Sequence, residues 1–467
     1  MKLLDKIKKH NNRVALIDKN LSKTTYSQLL NYSLSLQKFL GKSSVVFLIG
    51  KNDLEWIVFY LAALDKKVIL FLIEEKINKK DLNKLIHLYK PNFIFKPKFN
   101  YNFDFKEIYK FNNYHLLKSS FKEIVKKNTS NLCLLIGTSG STGNSKYVKI
   151  SKENIESNTI DIIKYLKIKK RDRIITTLPP HYSYGLSLIN THLFQGGSIV
   201  LNNMSIIEKN FWQILKKSRA STFGAVPFQL EILDKMKIPK INFGNVKYVT
   251  HAGGSLTNST LMNVIKNLKT KKIKLFSMYG QTEASPRMSY LDPKFNLKKT
   301  GSIGKTINSG KFKIIDNKGR EITQSNRKGE LIYLGKNVSL GYAYDSASLN
   351  SENSNKGRLN TGDIAYKDED GFYYITGRKN RFVKIFGKRI NLDDIEQKLN
   401  SAGIKNICVN NKDIIYVCIV SHYSKKKINN QFISKIINIH FSKIVVKFIN
   451  EIPKTSNGKV AYTKLLD

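Results

Sequence analysis

Through its first three quarters the chain alternates short apolar runs with helix-period segments, and this alternation restricts the fold more than any other feature. Ser43–Gly50 reads as a strand, Asp53–Leu64 as a helix with Asn52 as a candidate N-cap, and Lys67–Ile73 as the next strand. Lys80–Tyr89 reads as a helix ended by Lys90-Pro91, and Asn92–Phe95 as a further strand. The apolar cores of these runs are far too short to cross a bilayer, so they are expected to be buried strands. Strand–helix–strand repetition implies parallel sheets covered by helices. From Gly301 onward the texture becomes β-rich, with short strands at Lys311–Ile315, Gly329–Leu334 and Gly371–Ile375 separated by turn signals such as Asp316-Asn317-Lys318-Gly319. After Thr376 the chain returns to short alternating elements. A length of 467 residues exceeds one ordinary hydrophobic core. The boundary is placed near Gly377–Lys379, giving a large domain over 1–377 and a small one over 378–467.

The net charge of +45 first suggests a nucleic-acid or membrane-surface partner. Lysine greatly outnumbers arginine, however, and Asn and Ile are abundant, as codon bias in an AT-rich genome would produce. The lysines are also spread along the whole length instead of forming a stripe. Zinc-ligand spacing and RNA-recognition aromatics are missing as well, which disfavours a nucleic-acid-binding protein. Cys133, Cys408 and Cys418 form no CxxC pair, which suits a reducing cytoplasm. The basic stretch Met1 to Asn20 has no apolar run of the secretory kind.

The strongest chemical signal is an apolar strand, Leu134-Leu135-Ile136-Gly137, running into Thr138-Ser139-Gly140-Ser141-Thr142-Gly143-Asn144-Ser145-Lys146. Glycines let backbone N–H groups approach phosphate oxygens, hydroxyls add donors, and lysine adds charge. The spacing is not that of the GxxxxGK[ST] nucleotide loop. Further segments follow in order: Leu178–Leu186, then His251-Ala252-Gly253-Gly254-Ser255, then Tyr279-Gly280-Gln281-Thr282-Glu283. Gly301-Ser302-Ile303-Gly304, Thr361-Gly362-Asp363, Gly377-Arg378, Gly387-Lys388-Arg389-Ile390 and Pro453-Lys454-Thr455-Ser456-Asn457-Gly458-Lys459 complete the series.

This ordered series resembles the adenylate-forming (AMP-binding) superfamily of acyl- and aryl-CoA synthetases, peptide-synthetase adenylation domains and beetle luciferase. Ser145 and Tyr147 depart from it, standing where proline and glycine are usual. The resemblance implies an α/β fold: a large N-terminal domain of helix-layered β-sheets with a small β-barrel-like part, plus a small mobile α+β C-terminal domain. It implies an active site in the cleft between the domains and rotation about Asn380, where aspartate or lysine is more usual. The loop Thr138–Gly143 with Lys146 would hold the phosphates of ATP. Gly253, Gly254 and Ser255 would line the adenine beside Tyr279, and Gly280 and Gln281 belong to the same nucleotide-binding segment. Thr282 and Glu283 would hold Mg2+, a hard cation that prefers oxygen ligands. Asp363, assisted by Arg378, would accept hydrogen bonds from the ribose, and Lys459 would bridge carboxylate and α-phosphate oxygens in the transition state.

His181, Tyr182, Tyr184 and Gly185 fall in the segment that would line the acyl pocket. Amino-acid-activating members carry an aspartate at the place of Gly185 to pair with the substrate ammonium. Without one, burying that ammonium would be costly. Acyl- and aryl-CoA ligases have a histidine where Tyr182 stands, with His181 one residue earlier. His181 is therefore read either as a gate or as a packed core histidine. The expected activity is carboxylate activation through an acyl-adenylate with pyrophosphate release, then transfer to a thiol, with a fatty or other uncharged-tail acid as substrate. Coenzyme A is the first-choice acceptor and the phosphopantetheine of an acyl carrier protein, acting in trans, the second. An acyl- or aminoacyl-carrier-protein ligase is thus the alternative enzyme.

Overall fold

A computed structural model of the chain describes residues 2–41, 44–66, 68–97, 105–122, 125, 132–137, 146–254, 256–379, 381–386, 388–420, 428–454 and 460–465. Two compact units emerge, one of residues 1–311 with 334–359 and one of residues 312–333 with 360–467.

The first unit is built on two large sheets. In one, Val14–Ile17, Ser198–Val200, Arg173–Ile175, Thr222–Ala225, Tyr248–His251 and Lys274–Gly280 run parallel, with Lys23–Thr25, Arg287–Leu291 and Lys305–Thr306 as antiparallel edges. In the other, Leu132–Gly137, Ile69–Glu74, Val45–Gly50 and Phe93–Pro97 are parallel. Antiparallel strands flank them on both sides, as crossover helices in the interior and hairpins at the edges require. One core cluster draws side chains from both sheets and from helices Leu54–Asp65 and Ser183–Gln195. Both helices are apolar around nearly their whole circumference, so both are buried. The Tyr60 hydroxyl donates to Asn190 Oδ1 at 2.9 Å and fixes one helix against the other.

The expected strands and helices form, with ends shifted by one to three residues. One cap differs. Asp53 caps the Leu54–Asp65 helix, its Oδ1 accepting from Trp56 N at 3.1 Å. Asn52 instead turns its amide onto the Leu178 carbonyl at 3.0 Å. The strand placed at Gly371–Ile375 begins later, at Tyr373, because Asp368–Gly371 closes a turn.

In the second unit a four-stranded sheet of Gly310–Ile315, Gly329–Gly335, Arg358–Lys367 and Tyr373–Arg378, the last two antiparallel, is followed by the separate hairpin Phe382–Ile385 with Lys388–Asn391. Helices Leu392–Ser401 and Asn430–Ile437 then pack on the strands Asn406–Asn411, Ile414–Val420 and Ile444–Ile449. Arg381 anchors this unit, bonding Asp393 at 3.1 Å and Glu396 at 2.5 Å beneath the Tyr462 ring.

Candidate active site

The carboxyl end of the parallel strands is where an α/β sheet presents its ligand-binding loops. Strand Lys274–Gly280 delivers Tyr279 and Gly280 there and turns through Gln281 into a single helical turn, Thr282–Ala284. Two buried amides, far away in sequence, hold this turn. Asn337 Nδ2 donates to the Ala284 and Arg287 carbonyls at 2.6 and 2.8 Å. Asn158 donates to the Arg287 carbonyl at 2.8 Å and accepts from its N–H at 3.2 Å. The Glu283 carbonyl accepts from Ser339 N at 2.8 Å. With its backbone so fixed, the turn presents two side-chain oxygen sites. Thr282 Oγ1 lies 3.1 Å from Ser183 Oγ, and Glu283 Oε1 accepts from the Tyr342 hydroxyl at 2.8 Å. Lys146 Nζ lies 4.2 Å from the centre of the Tyr342 ring. Tyr342 thereby brings the closing lysine of the small-residue loop to the carboxylate of Glu283. Burial and that carboxylate raise the Tyr342 phenol above its ordinary range, so it stays a donor.

Strand Tyr248–His251 ends one position inward and leads to Gly253 and Gly254. A Cβ on Gly253, whose φ is +97°, would stand 2.8 Å from the Tyr182 hydroxyl, so only glycine leaves this edge open. His251 is buried with neither ring nitrogen bonded among the described residues, and burial lowers its pKa to about 4. The open glycine edge and an unpaired neutral imidazole fit a flat heterocycle with nitrogen donors and acceptors. The oxygen pair Thr282 and Glu283 fits a hard divalent cation.

Tyr182 precedes the buried helix Ser183–Gln195, and Tyr184 inside it bonds Thr250 Oγ1 at 2.8 Å. A Cβ on Gly185 would lie 2.3 Å from the Pro179 carbonyl oxygen, so the backbone itself occupies the space an acidic side chain would need. Burial holds the His181 ring neutral, with a pKa lowered to about 4. Asp363 and Arg378 face each other in the second unit, with Arg378 Nε 3.2 Å from Asp363 Oδ1. The expected loop residues Thr138, Ser139, Gly140, Ser141, Thr142 and Gly143, together with Ser255, Asn380 and Lys459, lie outside the described residues. Of the two departures, Tyr147 heads the strand Tyr147–Ser151 and packs its ring on Phe71 and Tyr89. Asn158, Arg287, Asn337 and Tyr342 were not singled out from the sequence. They belong to no local pattern and reach the site only through folding.

The sequence pattern of the AMP-binding enzyme family matches residues 3–343, nearly the whole first unit. The chain belongs to that family. A probable 4-coumarate–CoA ligase of Dictyostelium discoideum is 27% identical over 353 residues, covering 73% of this chain and 64% of that protein. A 2-succinylbenzoate–CoA ligase of Listeria monocytogenes is 26% identical, covering 70% and 68%. Luciferin 4-monooxygenase of Luciola mingrelica is 26% identical, covering 73% and 64%. This chain thus spans somewhat under two thirds of the length of several of its curated relatives. In fold it is similar to the Bacillus subtilis O-succinylbenzoate coenzyme A synthetase solved with ATP and magnesium ion. That match has a TM-score of 0.78 at 19% identity and covers 100% of this chain and 99% of the other. Mixed α/β architecture with a large N-terminal part and a smaller C-terminal part is therefore the family fold here as well. Among the described residues, no helix is long and apolar enough to cross a membrane.

Proposed function

We propose that this AMP-binding enzyme is an acid–thiol ligase that activates a carboxylic acid with ATP and passes the acyl group to coenzyme A. The observation that supports it most directly is the turn that holds Thr282 and Glu283 beside Lys146 through Tyr342. In the reaction a carboxylate oxygen attacks the α-phosphorus of ATP, pyrophosphate leaves, and a mixed anhydride forms. A thiolate then displaces AMP from the acyl carbon. Little covalent chemistry is asked of the protein, so rate comes from positioning and charge stabilisation. Lys146 and the loop preceding it would take the β- and γ-phosphates, and Gly253, Gly254 and Tyr279 would clasp the adenine. Asp363, oriented by Arg378, would receive the ribose hydroxyls, and Lys459 would span the reacting oxygens. Thr282 and Glu283 would hold Mg2+, which supplies charge neutralisation at the phosphates. Residues 378–467 are taken to move about Asn380 between the two half-reactions.

Gly185, walled by the Pro179 carbonyl, supports an acid without an α-ammonium. The relatives named for coumarate, succinylbenzoate and indoleacetate support an aryl acid ahead of a fatty one. The three thiols, Cys133, Cys408 and Cys418, are free and buried, in keeping with a cytoplasmic enzyme. The test is carboxylate-dependent pyrophosphate release with Mg-ATP across aryl, fatty and amino acids, with and without coenzyme A. Release with an aryl or fatty acid, and thioester only when coenzyme A is present, is the expected result. Adenylate that never reaches coenzyme A would transfer the reading to a carrier-protein ligase, and release only with amino acids would overturn it.

A further inference from the structure

Arg287 is among the largest side chains in the molecule that are fully buried, at 1% exposure, and it opens the antiparallel strand Arg287–Leu291 shortly after the Thr282–Ala284 turn. Its guanidinium lies 4.6 Å from the centre of the Tyr184 ring, and Nη2 is 3.4 Å from Ser187 Oγ. The Ser187 hydroxyl donates its own proton to the Tyr184 carbonyl at 2.7 Å, so toward Arg287 it can only accept. The phenols of Tyr165, Tyr182 and Tyr184 all feel the arginine's positive charge, and all three are neutral. Among the described residues Nε has no hydrogen-bond partner and no carboxylate pairs with Arg287. His181 and His251, on neighbouring segments of the same unit, are held neutral by burial.

A desolvated guanidinium without a counter-charge is strongly unfavourable, and proteins almost always pair one. A second observation lies two residues away. Ser285 Oγ is buried with no partner among the described residues, and Ser285 lines a small cavity together with Ser183, Ser187 and Asn190. Arg287 touches that cavity's wall at Ser187. Among the described residues, a guanidinium with no paired carboxylate and a hydroxyl with no hydrogen-bond partner therefore converge beside the helix that carries Tyr184 and Gly185.

We propose that Arg287 is a specificity-determining residue that receives a second anionic group on the acid's tail, so that the preferred substrate is a diacid. This rests on the ligase reading and replaces the uncharged tail expected from the sequence with a charged one. It also gives Gly185 a second meaning, since a positive pocket would repel an ammonium as well as fail to pair with it.

The test compares matched acids, adipate against hexanoate and terephthalate against benzoate, by ATP–pyrophosphate exchange on the full chain. A site built to bond a polar group discriminates against the analogue that lacks it by roughly 10²-fold or more. The diacids are therefore expected to show the higher kcat/KM. In Arg287→Met the diacid-to-monoacid ratio should fall about 100-fold, and Arg287→Lys should restore part of it. Protection against thermal unfolding by the diacids, seen in the natural chain and lost in Arg287→Met, would support the same conclusion without turnover. Preference for the monoacids by the natural chain, or an equal loss on both acids in Arg287→Met, overturns the inference and leaves the ligase reading standing. Exchange with no acid at all removes the ligase reading and this inference with it.

Discussion

The Tyr342 hydroxyl donates a 2.8 Å hydrogen bond to Glu283 Oε1, joining residues 59 positions apart at the edge where two sheets deliver their loops. One lone-pair direction of the carboxylate is thereby fixed and the rest left for a ligand. Loss of the charge in Glu283→Gln is expected to lower ATP–pyrophosphate exchange by about 10²–10³-fold. Tyr342→Phe removes only an orienting bond worth about 0.5–1.5 kcal/mol, so a loss of roughly three- to ten-fold is expected. Exchange assays across magnesium concentrations check both, and a Tyr342→Phe enzyme as impaired as Glu283→Gln would show that the phenol does more than orient.

Gly185→Asp recreates the acidic residue of amino-acid-activating relatives but should not recreate their specificity. The new Cβ would meet the Pro179 carbonyl oxygen at 2.3 Å, a backbone atom that cannot rotate away. Overpacking of this kind costs about 1–3 kcal/mol. The expected outcome is a lower melting temperature and no amino-acid-dependent pyrophosphate release. Robust turnover of any amino acid would count against the geometry.

Acid should weaken the first unit. Burial lowers His192 and His251 from 6.5 to about 4, so between those values the unfolded chain binds protons that the folded chain refuses. Stability is therefore full above pH 6.5, falls as the pH drops toward 4, and levels off below that. Each histidine contributes roughly 2 kcal/mol of that loss at pH 5. His192 Nδ1 lies 3.0 Å from the Leu188 carbonyl, and Nε2 has no partner among the described residues. In urea titrations at pH 7 and pH 5, His192→Gln should show a smaller difference than the natural chain. An unchanged difference would mean that His192 is protonated in the folded state.

Lys459→Ala is expected to abolish most adenylation, by about 10²–10³-fold, while thioester formation from a supplied acyl-adenylate is affected less. The two half-reactions assayed separately decide this. Equal loss in both would deny Lys459 a role confined to the first step.

The ordered series from Leu134 to Lys459 was enough to place the chain in its family, because strand-to-loop junctions are local. An apolar run followed by Gly, Ser and Thr can be read without knowing what packs behind it. The alternation of strands and helices was legible for the same reason, since period and turn residues are properties of neighbours in sequence. Gly185 was also legible as a missing charge partner. What walls it off was not, since the Pro179 carbonyl reaches it only once the Ser183–Gln195 helix has formed.

The residues that hold and tune the site come from elsewhere. Asn158, Asn337 and Tyr342 meet the Gln281–Arg287 turn across 50 residues or more. In sequence Asn158 and Asn337 look like two of many surface asparagines. Arg287 is one basic residue in a chain of net charge +45, and nothing near it in the sequence distinguishes it from the solvated majority. Local pattern determined that this chain forms layered parallel sheets, and its ordered motifs placed it among the AMP-binding enzymes. That Arg287 is buried with no carboxylate paired to it among the described residues was decided only by tertiary structure, because desolvation depends on everything that packs around a group and not on its neighbours along the chain.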